Sequence, residues 1–209
     1  IFKDFGGDKA GDMFTFIMEM EGVGFREALE LLAEKAGVTL SRSKSGNSIS
    51  ETKPLLDILA RSTNFYRSIL SHEVHGREAR EYLATRGIGQ DTIDAFGIGY
   101  APKSFTALAS GLQKKGFIPE QIVESGMAIQ KDSRQVYDRF RGRIMIPIRD
   151  AMGRVVGFTG RILPEHDDGK MGKYINSPQG KVFDKSRLLF GLDIAKLAIK
   201  QAKRSIVVE

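Results

Sequence analysis

Near residue 127 the spacing of apolar residues changes from helical to alternating, which confines the chain to folds that join a helical part to a β part. Upstream, Leu55, Leu56, Leu59, Tyr66, Ile69 and Leu70 recur at helix spacing behind Pro54, which suits a first helical turn. Further helices are expected over residues 76–86, stopped by Gly87, and over 91–96, 104–115 and 119–125, the last opened by Pro119. Downstream, Ile144, Ile146 and Ile148 fall on one face of a strand, with Arg143, Met145, Pro147 and Arg149 on the other. Residues 150–153 read as a turn and 154–161 as the returning strand. On that strand Val156 and Phe158 point inward, while Val155, Gly157, Thr159 and Arg161 make a mostly small face open to a ligand. A helix over 191–203 and an apolar strand over 205–209 follow.

The first forty residues carry a weaker pattern. Residues 1–11 read as a loop, and Asp12 is placed to cap a short helix ending near Met20. A stronger helix follows over 25–36 and stops at Gly37. Residues 41–53 are polar and Ser-rich, bury too little to offset their ordering entropy, and read as a linker at a domain boundary.

Charge separates the parts more sharply than hydropathy. Residues 126–191 hold 13 Lys/Arg and 7 Asp/Glu, so 13 − 7 = +6, which is the net charge of the whole chain. The remainder holds 32 − 13 = 19 basic and 26 − 7 = 19 acidic residues and sums to zero. A positive region with interleaved aromatics suits a polyanionic partner. The absence of cysteine excludes disulfides and Cys-ligated metals. No apolar run approaches the ~18 residues of a membrane span, so a cytoplasmic location is expected. Ile1 at the start and the apolar residues at the end lead us to expect a fragment open at both ends.

Within the basic third, Arg139, Arg141 and Arg143 stand at alternate positions. An extended backbone puts all three on one face about 6–7 Å apart, close to the interval between successive phosphates of a single strand. Each guanidinium can take a phosphate in two-point geometry. A solvated strand edge, ion-paired to Asp138 and Asp150, fits the same residues equally well. Lys173, Tyr174 and Asn176 form a second cluster able to hold a phosphate, stack on a base and orient one; a buried Tyr between capped strand ends is the plainer alternative. Lys181, Lys185 and Arg187 extend the positive patch. His72 and His75 lack a third ligand at metal spacing, and no phosphate-binding glycine loop is present. Glu209 ends an apolar strand, where ligands collect in α/β folds, although one carboxylate does not hold Mg²⁺ usefully.

The stretch 137–161, together with Lys173-Tyr-Ile-Asn-Ser-Pro178, Phe183-Asp-Lys185 and Leu189-Phe-Gly191, resembles bacterial replicative DNA primases of the DnaG type. Arg86-Gly-Ile and 96–102 fit the helical part of the same catalytic core, with continuous coverage from about 54 to 209. The resemblance implies an α+β fold: a helical N-terminal region, a mixed or antiparallel sheet subdomain, and the first strand of a truncated α/β Toprim domain. The implied layout is a zinc-ribbon remnant over 1–40, the linker 41–53, a core subdomain over 54–204 and the Toprim strand over 205–209. Within the core subdomain, 54–125 is helical, 126–190 β-rich and 191–203 a helix.

The implied function is a share in a DNA-dependent RNA polymerase that makes RNA primers. Arg139, Arg141, Arg143, Arg161, Lys173, Tyr174, Asn176 and Lys185 would form its groove for template single strand and nucleotide. Glu209 would be a catalytic and metal-site carboxylate for Mg²⁺ or Mn²⁺, its Asp-x-Asp partners lying further along the family's sequence. Implied partners are single-stranded DNA template, NTPs and an RNA–DNA primer hybrid, with the replicative helicase contacted through other regions. The fragment alone is expected to be inactive. Asp4 and Gly7 stand where the family's ribbon has cysteines, so no zinc is expected here. The alternatives are a non-catalytic single-stranded nucleic-acid-binding module and an interaction segment with a merely solvated basic face.

Overall fold

A computed structural model describes residues 2, 3, 6, 10–38, 48–130, 135–169 and 171–207, with only the backbone of residues 26, 27 and 48–50. The described residues fall into two units, one drawn from 1–46, 151–153 and 191–209, the other from 47–150 and 154–190.

In the first unit, part of the expected loop is paired: β1 (Phe2–Lys3) lies antiparallel to β2 (Ala10–Gly11). The Phe2 ring meets Phe16 edge-on at 5.3 Å, an apolar contact that polar loop residues do not offer. Asp12 caps α1 (Met13–Glu21) as expected, its carboxylate accepting from Thr15 N at 2.9 Å and Thr15 Oγ1 at 3.0 Å. Those bonds hold the Asp12 carboxyl below its ordinary range. After Gly22 and a short turn comes α2 (Phe25–Lys35), and Phe25 meets Phe14 of α1 with ring centroids 5.3 Å apart.

The second unit begins earlier than the polar linker suggested. Helix α3 spans Ser48–Ser71, so the end of the 41–53 stretch is helical and Pro54 lies inside the helix instead of opening it. Glu51 suits the first turn of a helix and also holds Lys181 at 3.0 Å, a tertiary partner that local composition does not reveal. Along α3, Leu55, Ile58, Leu59, Tyr66 and Leu70 are buried. Helices α4 (Arg77–Thr85) and α5 (Gln90–Phe96) follow, then strand β3 (Gly99–Ala101) and helices α6 (Ala107–Lys114) and α7 (Pro119–Glu124). A hairpin of β4 (Ala128–Gln130) and β5 (Val136–Asp138) leads to the long strands β6 (Arg143–Arg149) and β7 (Val155–Ile162) and to β8 (Tyr174–Asn176).

The main sheet has the order β3-β6-β7-β8 and is antiparallel throughout. The β6–β7 turn is held by Asp150, which accepts from Arg154 N at 2.9 Å and Arg154 Nε at 2.8 Å. Met145 and Phe158 pack on Ile58, Leu59 and Tyr66 of α3 and on Leu108, Leu112 and Ile122 of α6 and α7. Ile144, Tyr100 and Leu163 pack instead with Leu70, Ala79 and Leu83. Helices therefore cover both faces of β6: Arg143, Met145 and Pro147, on the face opposite Ile144, are buried as well. The small face of β7 is closed at Gly157. A side chain at Gly157 would meet the Phe183 ring at 2.8 Å, so this glycine admits a protein ring and not a ligand.

Helix α8 (Leu192–Ala202) groups with residues 1–46, although the sequence reading placed it in the 54–204 subdomain. Its Lys196 donates to Glu21 Oε2 at 3.0 Å and to the Ala151 carbonyl at 3.1 Å. The strand expected over 205–209 does not form over Ser205–Val207: a strand exists through its ladder, and these residues have none among the described residues. Val208 and Glu209 lie outside the described residues. No described helix is long and apolar enough to cross a membrane.

Candidate nucleic-acid interface

One end of the main sheet gathers the start of β6, the end of β7, the start of β8 and the loop leaving β3, because the register pairs Ala101 with Arg143, Arg143 with Ile162, and Arg161 with Tyr174. Most of the basic residues singled out in the sequence lie here. They do not form the single row that an extended backbone would give. Strand β5 ends at Asp138 and β6 starts at Arg143, and between them Gly142 turns the chain with φ 60°, a left-handed value that favours glycine. Arg139, Arg141 and Arg143 therefore point to different surroundings.

Arg143 is fully buried. Its Nη1 donates to the carbonyls of Gly160 at 3.0 Å and Lys173 at 3.2 Å, and its Nη2 to that of Gly172 at 3.1 Å. Burial pulls its pKa down, against the opposing attraction of Asp167. The expected phosphate ligand is thus a tie between β6, β7 and the segment entering β8. Arg139 is half-buried, with its Nε enclosed and without an acceptor among the described residues, and burial lowers its pKa also.

Arg141 remains available. Its Nη1 donates to the Asp138 carbonyl at 2.5 Å, and its guanidinium carbon lies 4.7 Å from the centre of the Phe105 ring, a cation–π contact. Phe105 is 61% exposed and meets Tyr137 edge-on at 6.3 Å. The loop carrying it is pinned through Asp138, whose N–H donates to the Phe105 carbonyl at 2.7 Å. The Asp138 carboxylate accepts from Leu108 N at 2.9 Å and Ala109 N at 2.8 Å, capping the first turn of α6. Burial nevertheless raises the Asp138 pKa above its ordinary value, with those two amides opposing. Among the described residues no ion pair joins Arg139, Arg141 or Arg143 to Asp138 or Asp150: Asp138 holds amides and Asp150 holds Arg154. The sequence reading missed Phe105, which fell inside an expected helix over 104–115 and lay apart from the basic third.

Arg161 stands opposite Tyr174 in the ladder and donates from Nη1 to the Tyr174 hydroxyl at 3.0 Å. From the other side, its Nε donates to the hydroxyl of Tyr82 on α4. The two ring centres lie 5.2 and 5.1 Å from the guanidinium carbon. Its modest burial works against the charge, but the bonds to Tyr174 and Tyr82 outweigh that and raise its pKa. Among the described residues it has no carboxylate partner. Tyr174 is 55% exposed, so the plainer expectation of a buried ring is corrected. Lys173 and Asn176 are exposed on either side of it. Tyr82 was also missed, since nothing in its local sequence points to a residue 79 positions away.

Lys185 does not join this end. It is exposed in a single 3₁₀ turn over Lys185–Arg187 that follows Phe183, the ring packed on Gly157 further along β7. Lys181 is neutralised by Glu124 at 2.8 Å and Glu51 at 3.0 Å, and those contacts raise its pKa. The His72 and His75 rings lie tilted with centres 4.5 Å apart, and the described residues contain no group of three metal-binding side chains. Glu209 is not among the described residues.

The sequence matches the family model of the DNA primase catalytic core, N-terminal domain, over residues 65–196, and that of the CHC2 zinc finger over residues 1–48. It is 39% identical over 206 residues to a DNA primase of Deinococcus radiodurans, an alignment covering 98% of this chain and 34% of that protein. The RNA polymerase domain of Mycobacterium tuberculosis primase DnaG, solved with a double-stranded DNA oligomer bearing a 6-nucleotide overhang, superposes with a TM-score of 0.69 at 36% identity, covering 75% of this chain and 48% of that one. A DnaG primase catalytic domain bound to ssDNA superposes with a TM-score of 0.62 at 36% identity, over 71% and 45%. The chain spans about a third of the length of the curated relatives it matches, 34% in the first case. Residues 1–48 contain neither cysteine nor histidine, so the zinc-finger match comes without the thiolate and imidazole donors zinc requires, and they do not fit the ion.

Proposed function

This chain belongs to the family of DNA primase catalytic cores through their N-terminal domain, and on that premise we propose that it is part of a cytoplasmic DNA-dependent RNA polymerase that synthesises RNA primers for DNA replication. Its share in the reaction is to hold single-stranded template and the incoming nucleotide. The observation that carries this is Arg161: a guanidinium fixed at two points by neutral phenol oxygens and lacking an acidic partner among the described residues. A phosphate supplies the missing anion. In the loop leaving β3, the exposed Phe105 ring backed by Arg141 offers a stacking surface that any base can use. Lys173 and Asn176 add an ammonium for a second phosphate and an amide for a base edge or sugar. The capture of ssDNA by a related catalytic domain supports the same reading.

In this reading Arg143 serves the interface indirectly, by fixing the Lys173 backbone, and Arg139 and Lys185 are secondary contributors. Nucleoside triphosphates, the RNA–DNA primer hybrid and a divalent ion, Mg²⁺ or Mn²⁺, act in the whole enzyme, to which this chain contributes Glu209. The helicase contact is assigned to other parts of the protein. Residues 1–40 are a ribbon remnant without zinc.

The test is fluorescence anisotropy of labelled oligo(dT) with residues 1–209. Binding is expected to weaken with salt by about 0.7 logarithmic units per tenfold salt for each phosphate contact. Charge reversal at Arg141 and Arg161 together is expected to lower both the affinity and that slope. If neither moves, the interface is wrongly assigned. Template-directed NTP incorporation by residues 1–209 alone would overturn the division of labour proposed here, and binding that never leads to synthesis in the longer protein would favour the non-catalytic module.

A further inference from the structure

We infer that Tyr82 is a positioning residue for phosphate binding: its hydroxyl fixes the Arg161 guanidinium from the side opposite Tyr174 while leaving its charge uncompensated. The inference rests on the reading of Arg161 as a phosphate ligand. The phosphate comes either from a polynucleotide backbone or from a nucleoside triphosphate, and both present the same oxygens.

The contrast with other cations of the same unit carries the argument. Arg67 is held by Asp94 at 2.9 Å, Arg154 by Asp150 at 2.8 Å, Arg61 by Asp57 at 3.1 Å, and Lys181 by two glutamates. Each of those anchors cancels the charge it orients. Arg161 is anchored as firmly, through Nε and Nη1, but by oxygens that carry no charge. Among the described residues Nη2 has no protein acceptor, so its two N–H donors stay open. A guanidinium that is already oriented loses less conformational freedom on binding and keeps its whole charge for the ligand. Tyr174 alone leaves rotation about the Nη1 bond; Tyr82, from a separate helix, removes it.

The test compares the wild-type chain with Tyr82→Phe, Arg161→Ala and the double variant, titrated with oligo(dT) and separately with ATP, with thermal unfolding alongside. Tyr82→Phe keeps the ring and the packing and is expected to weaken binding about three- to tenfold, with an unchanged unfolding midpoint. In the Arg161→Ala background the same substitution is expected to change nothing. A loss with oligo(dT) alone assigns the phosphate to the strand, and a loss with ATP alone assigns it to the triphosphate. Equal losses in both backgrounds would overturn the inference, because Tyr82 would then act without Arg161. So would unchanged binding by Tyr82→Phe where Arg161→Ala binds weakly. If the wild-type chain binds neither probe, the proposed function itself falls, and this inference with it.

Discussion

The guanidinium of Arg143 hydrogen-bonds the main-chain carbonyl of Lys173 at 3.2 Å, so one basic residue of this sheet end fixes the backbone of another. Its two further bonds, to Gly160 and Gly172, complete a buried tie across three segments. Arg143→Ala leaves three carbonyls without this donor and is expected to cost at least about 2–3 kcal/mol in urea unfolding. Arg141→Ala, which removes a half-exposed side chain, is expected to leave the midpoint nearly unchanged while weakening binding. Equal unfolding midpoints for the two variants would contradict the buried tie.

Phe105 is the stacking candidate that exposure singles out. Phe105→Ala is expected to weaken oligo(dT) binding by about 5- to 100-fold, the span of one lost base–aromatic contact, with little change in stability. Phe105→Trp is expected to restore binding. Full affinity in Phe105→Ala, measured by anisotropy, rules the ring out.

Asp138 gives a pH signature of unusual sign. Burial raises its folded pKa above the value near 3.8 that applies when unfolded, so over the interval between the two the folded chain binds more protons. Its contribution to stability therefore grows as pH falls through the folded value, opposite to a salt-bridged carboxylate. Relative to Asp138→Asn, the wild type should gain stability as pH is lowered from neutral toward 4. A difference in unfolding free energy that stays flat, or moves the other way, contradicts this assignment.

Tyr100 titrates late. Its burial, followed by the charges of Glu78 and Glu165, pushes its pKa up to about 12 from an ordinary value of 10.0. The unfolded chain ionises first, so the stability this phenol contributes is present below about pH 10 and is lost as pH rises through about 12. Glu78→Gln removes one of the two charges and is expected to lower the pKa in an ultraviolet absorbance titration. An unchanged titration would show that Glu78 does not contribute.

Periodicity made the helices near 25–36, 77–85, 90–96 and 119–124 legible, along with the paired strands on either side of residue 150. The same alternation misled at Arg143. A two-residue period reports two faces but not that helices cover both, and the buried guanidinium is satisfied by carbonyls that come from elsewhere in the sheet. The polarity of 41–53 hid the start of α3, because Glu51 finds its partner in Lys181, 130 positions away. Arg161 and Tyr174 were found as separate residues of one basic region. Their link to Tyr82, and that of Arg141 to Phe105, is made only when α4 and the β3–α6 loop pack beside the sheet.

The way Asp138 grips the start of α6 also has a mechanical consequence. One residue clasps the Phe105 carbonyl through its N–H and the helix through its carboxylate, so loop, helix and hairpin are riveted at a single point. A strand pulled across Phe105 cannot swing that loop by itself. The load passes straight into the β4–β5 hairpin, so under the proposed function a template crossing Phe105 would meet a fixed post instead of a yielding one.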